Sequence, residues 1–167
     1  MNAHDVLMYG NRTVLHTLEG IPNSEWNTPD VCGWWSTRQI VAYLTSFEWV
    51  LVDAFSAFLG GGPTPNRDRM GTLGGQGFND YEVEQREGKS FEAVFAEYNQ
   101  AHARTMEQVA QIPAEVLREA GRIPWYGMEY ALDDLIVYQY YGHKREHTSQ
   151  INIFKDLLKA QGKIQAE

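Results

Sequence analysis

The chain has 167 residues, enough for one domain with a sizeable hydrophobic core, and an ordinary globular balance of 43% hydrophobic and 22% charged residues. Its 14 Lys and Arg against 22 Asp and Glu leave a net charge of −8, which argues against nucleic-acid binding through a broad basic face. The single cysteine, Cys32, excludes an internal disulfide framework and agrees with a reducing compartment.

The N-terminus lacks the basic-then-apolar pattern of a signal peptide, and no apolar run approaches the roughly 18 residues of a membrane span. The expectation is a single cytoplasmic domain over residues 1–167, with no nucleic-acid or membrane partner. Val6, Leu7, Val14, Leu15 and Leu18 predict a first helix from Ala3 to Leu18, with Gly20 as its stop. Gly10 falls mid-helix, where it marks a close helix contact. Residues 21–34 are rich in turn formers. Ser36 and Gln39 form a capping box that opens the second helix, whose apolar stripe runs through Ile40, Leu44, Phe47, Leu51, Phe55 and Phe58. Seven glycines and two prolines between 60 and 78 predict a long loop, followed by a short helix over 79–86. Ser90 caps the third long helix, Pro113 starts a short one through Glu119, and the fourth long helix runs from Leu132 to Ala160, with Gly162 as its stop. No strand pairs or repeats are evident, so the fold class is an all-α four-helix bundle with one or two short extra helices.

The most specific chemistry lies in the last helix. His143 and His147 stand four residues apart, on one face, and fall on the stripe Ile136, Tyr140, His143, His147, Ile151, Phe154 and Leu158. Two imidazoles so placed can grip one divalent metal ion, and zinc, nickel and iron all accept neutral imidazole. The bland alternative is a pair of polar residues hydrogen-bonded at a bundle end. His143 to His147 also spells H-x-x-E-H, the inverted zinc-protease pattern, but only 20 residues follow it and no sheet is expected to align a peptide. His102 can face the core, although structural or solvated histidines are commoner. Glu146 has no Lys or Arg three or four positions away and reads as solvated. Cys32 has no base beside it in sequence, so a nucleophilic role is weak.

Gly33-Trp34-Trp35-Ser36 through Tyr43-Leu44 to Phe47-Glu48 resembles the helix-two signature of the DinB/YfiT-like metalloenzyme superfamily, and Tyr141-Gly142-His143 through His147 to Ile151 resembles that family's signature on the last helix. The resemblance implies a DinB-like four-helix bundle, commonly a homodimer, with a metal bound by one histidine of helix two and two ligands of the last helix. His143 and His147 match the latter two. Tyr43 stands where the helix-two histidine belongs. Three readings follow: Tyr43 replaces the ligand, Glu48 or His102 supplies it, or the site is metal-free with Tyr43 as hydrogen-bond donor or acid. The colibactin self-resistance branch, a cyclopropane hydrolase, is similar in carrying a tyrosine there. A core tyrosine with its hydroxyl satisfied locally is the ordinary alternative. Trp35, Phe47 and Tyr140 are expected to line the pocket. The implied function is a metal-dependent hydrolase, or a transferase or isomerase using a low-molecular-weight thiol, acting on a small molecule. The rival is a non-enzymatic binding or stress-response protein with a degenerate site.

Overall fold

In a computed structural model, which describes residues 2–165, helix α1 spans Ala3–Leu18, α2 Thr37–Phe58, α3 Pro65–Glu84, α4 Phe91–Val109, α5 Ala114–Leu117, α6 Leu132–Leu135 and α7 His143–Ala160, with a π-helical segment Ile136–Gly142 joining α6 to α7. No strand forms among the described residues, which carry only an isolated bridge between Cys32 and Trp35. Helices α1, α2, α4 and α7 make the all-α bundle: α1 packs on α7 and α4, and α2 on α4 and α7. Of these seams, α2–α7 is the loosest.

Local chemistry explains the long helices. Asn2 Oδ1 accepts from the amides of His4 and Asp5 at the start of α1. Ser36 and Gln39 complete the capping box of α2, with Ser36 N donating to Gln39 Oε1 at 2.9 Å and Gln39 N donating to Ser36 Oγ at 3.3 Å. Ser90 Oγ accepts from Ala93 N to open α4. Gly162, at φ +70, ends α7: the amides of Gly162 and Lys163 reach back to the carbonyls of Lys159 and Leu158, a Schellman closure. Helix α2 is long and apolar enough to cross a membrane by hydropathy alone, which the residue-by-residue reading of its sequence did not anticipate. Most of it is buried inside the bundle, and it carries Arg38, Glu48 and Asp53, all buried.

The predicted loop over 60–78 is corrected. From Pro65 onward it is helix α3, broken at Gly74, where φ is +70. The cap comes from another helix: Asp53 of α2 accepts from the backbone amides of Asn66 (2.6 Å) and Arg67 (3.0 Å). The short helix expected over 79–86 is the second half of this element. Its end is clamped by Arg86, which pairs with Glu82 and Glu97 at 2.7 Å each, and by Arg38, which pairs with Glu87 at 2.9 Å. The helix after Pro113 ends at Leu117 rather than Glu119. The last long helix is not uniform, because Ile136–Gly142 takes up the π geometry.

A polar layer crosses the middle of the bundle. One apolar cluster holds Leu7, Leu51, Phe55, Val109 and Ile136; the other holds Val14, Ile40, Leu44, Val94, Tyr98 and Ile151. In sequence, each main helix passes between its contributions to these clusters through Gly10, Glu48, His102 or Lys144. Glu48 is completely buried and forms an ion pair with the equally buried Lys144, while His102 Nδ1 lies 3.2 Å from its other carboxylate oxygen. Gly10 makes room for this layer: a Cβ there would meet Tyr141 Cδ2 at 3.3 Å and Lys144 Cδ at 3.5 Å. The close contact expected at Gly10 is therefore with the last helix.

Burial alone would push the Glu48 carboxyl up, but the Lys144 ammonium and the His102 ring outweigh it and hold the group at about 2. Breaking a buried pair strands its partner, so Glu48→Ala is expected to lower unfolding stability by about 3–5 kcal/mol in urea titrations. The double variant Glu48→Leu, Lys144→Met should recover most of that loss, because an apolar pair leaves no buried charge. Since the folded pKa lies below the unfolded value near 4.5, this stabilisation is complete above about pH 4.5 and is lost as the pH falls towards 2. Wild type should thus lose stability relative to Glu48→Gln across that window, read as converging melting temperatures.

Candidate functional site

A cavity of about 370 Å³ opens at the α2–α7 seam, roofed by the N-terminal connection and flanked by α3. Each wall has a separate origin. Cys32, Gly33, Trp34 and Trp35 come from the turn before α2, Tyr43 from α2, Gln76 and Asn79 from α3, and His143, Glu146 and His147 from α7. The glycine-rich segment, expected to be a loop, therefore contributes a helical wall.

The two histidines turn the same nitrogen towards each other, Nε2 to Nε2 at 3.1 Å. Each is held from behind. His147 Nδ1 lies 2.8 Å from Gln150 Oε1, so it donates there. The backbone of Gln139, one turn back, favours the protonated His143 ring. With His147 Nδ1 donating to Gln150, His147 Nε2 presents its lone pair towards the His143 ring. Outer-nitrogen hydrogen bonds of this kind fix the tautomer and orientation of metal-binding imidazoles. Two nitrogens each about 2 Å from one ion stand roughly 3 Å apart when they take neighbouring coordination positions, so the pair fits a divalent ion. Burial, and then the neighbouring His147, push His143 down to about 4; burial also lowers His147, against the pull of Gln150 and Glu146. Both rings are therefore neutral at neutral pH, the ligating form.

Tyr43 stands across from them, its ring 4.9 Å from His143 and 5.1 Å from His147 between centroids, nearly perpendicular to both. Burial, with smaller contributions from Glu146 and Cys32, raises its phenol above the usual value, while a hydrogen bond from Asn79 opposes the rise. At neutral pH it is a protonated phenol. Glu48 and His102, the other candidates for a third ligand, are engaged with each other and with Lys144 and do not line the cavity. Among the described residues no cluster of three His, Cys, Asp or Glu side chains is placed to hold an ion, and Tyr43 faces the histidine pair.

Of the expected pocket residues, Trp35 lines the cavity and packs on Tyr43 at 4.9 Å. Phe47 lies behind the rings, 4.9 Å from Tyr43 and 4.7 Å from His143, and Tyr140 behind Phe47 at 6.4 Å. These two form the packing under the floor and do not border the cavity, a correction to their expected role. Glu146 is exposed, as expected, but stands at the cavity mouth. Cys32 also borders the cavity. Burial, and then Glu146, raise its thiol against a hydrogen bond from Gln150, so it is no thiolate nucleophile. Asn79, Gln76 and Gln150 were missed by sequence reading, since uncharged amides carry no motif and the first two lay in the supposed loop or at its end.

Searches of curated proteins and of solved structures find no match. A family model described as the DinB superfamily matches residues 10–151, which include every residue of the cavity wall. The chain belongs to the DinB superfamily.

Proposed function

We propose that the protein is an enzyme acting on a small molecule in the α2–α7 cavity, with a divalent ion, zinc, nickel or iron, held by His143 and His147 and with Tyr43 completing the polar floor. The observation that carries this reading is the pair of facing Nε2 atoms at 3.1 Å, with the outer nitrogen of His147 held by Gln150. A bound ion would supply Lewis acidity towards a water, a substrate oxygen or a low-molecular-weight thiol. The chain's own groups have definable tasks. Gln150 and the Gln139 backbone orient the imidazoles. Asn79 fixes the Tyr43 hydroxyl, whose raised pKa keeps a proton available for a leaving oxygen or sulfur. Trp35 and Phe47 screen the rings from water. These features support a hydrolase, or a thiol-dependent transferase or isomerase.

One observation favours a second reading, metal-free catalysis. A 3.1 Å Nε2–Nε2 separation also suits a proton shared between the rings, and a neutral phenol is a better acid than a ligand. Protein purified without a histidine tag separates the two readings. Elemental analysis is expected to find close to one equivalent of zinc, nickel or iron in wild type and none in His143→Ala, His147→Ala, and added ion should raise the melting temperature of wild type only. No metal, and no thermal shift with any of the three ions, would rule out the metal site and leave Tyr43 as the acid. A separate variant, Tyr43→Phe, is expected to weaken metal affinity by about tenfold or more if the phenol joins the ion, and to leave it unchanged if the phenol acts only as a proton donor.

A further inference from the structure

Trp34 is the most exposed large hydrophobic side chain described, at 69%. Together with Trp35 it borders two cavities. One is the site itself; the other, of about 350 Å³, is walled by the same tryptophans with Asp80, Glu84 and Glu87. No lysine or arginine lines either cavity. Glu87 is compensated by Arg38 at 2.9 Å, and Asp80 accepts from the Gln76 amide. Glu146 and Glu84 form no ion pair among the described residues. Glu146 lines the same cavity as Tyr43, His143 and His147.

At the mouth of the site cavity, an indole pair beside the Glu146 carboxylate is unfavourable for an anion and favourable for a cation. A ring face attracts positive charge through its quadrupole, and a cleft lined by one sign of charge concentrates the opposite sign. A neutral aromatic ligand could stack on the indoles, but it would gain nothing from Glu146. We propose that the cavity takes a small organic cation, with an alkylammonium group held at the mouth by the faces of Trp34 and Trp35 and the carboxylate of Glu146, and a neutral reactive end reaching Tyr43, His143 and His147. This rests on the reading of the cavity as the substrate site and adds its charge class.

Choline and neohexyl alcohol, in which a quaternary carbon replaces the nitrogen, have the same shape and differ in charge. Isothermal titration of the untagged full chain with each is expected to give choline an advantage of about tenfold in affinity. Glu146→Gln should remove most of that advantage, and Trp34→Ala should weaken choline several-fold with little effect on the alcohol. Equal affinity for the two probes, no choline binding, or a choline preference that survives Glu146→Gln intact would each overturn the proposal. Metal content measured on the same samples keeps the two readings apart. Loss of the charge preference with metal retained removes only the cation inference, whereas choline preference without metal removes only the metal site.

Discussion

The carboxylate of Glu48, sealed from water and shared between Lys144 and His102, fixes how the helices of this bundle stand against one another. An apolar core tolerates sliding, since one leucine replaces another at modest cost. A buried charge does not, because any shift that separates it from its partner leaves two uncompensated ions in a low-dielectric interior. Here the carboxylate comes from α2, the ammonium from α7 and the imidazole from α4, so one interaction ties three helices in register. The fourth, α1, adapts with Gly10, whose missing side chain admits Lys144 and Tyr141.

The cavity follows from that constraint. Lys144 sits between the two histidines in sequence and turns inward to Glu48, so the adjoining face of the same turns carries His143 and His147 to the loose α2–α7 seam. Tyr43 lies five residues before Glu48 on α2, and register set at Glu48 also sets Tyr43 opposite the imidazoles. The site and its support are therefore neighbouring faces of the same two helices. The third wall is fastened independently: Asp53 holds the start of α3, while Arg38 and Arg86 hold its end. This explains how a glycine-rich, mostly exposed segment can present Asn79 and Gln76 at a defined place.

What could be read from the sequence was what local spacing encodes. The capping box of Ser36 and Gln39, the stop at Gly162 and the four-residue step between His143 and His147 each involve neighbours along one helix, and each is found in the structure as read. What escaped depends on partners far apart in the chain. Helix α3 was hidden because its cap is Asp53, a residue of another helix, and its glycines read as loop. The Lys144–Glu48 pair could not be seen because neither residue has its partner on its own helix, and Glu48 reads only as a possible metal ligand. The π segment was invisible because the apolar residues Ile136 and Tyr140 keep an ordinary helical step across it. Phe47 and Tyr140 were placed on the correct side of the bundle but one layer too shallow, since a stripe gives direction and not depth.

The π segment Ile136–Gly142 has a bearing on how such a chain tolerates change in length. A wide turn carries a residue more than the α-helical path it replaces, and such turns recur beside functional sites. Removing one residue between 137 and 142 would return the backbone to the α-helical path over the same span. Leu132, Leu135 and Ile136 would stay in the apolar cluster they share with α1 and α5, and His143 and His147 would keep their phase. The extra residue thus acts as a decoupling joint, in which the first turns of the long helix answer to the apolar end of the bundle and the later turns answer to Glu48. Insertions or deletions before the joint can then be absorbed there, without turning the imidazoles away from Tyr43.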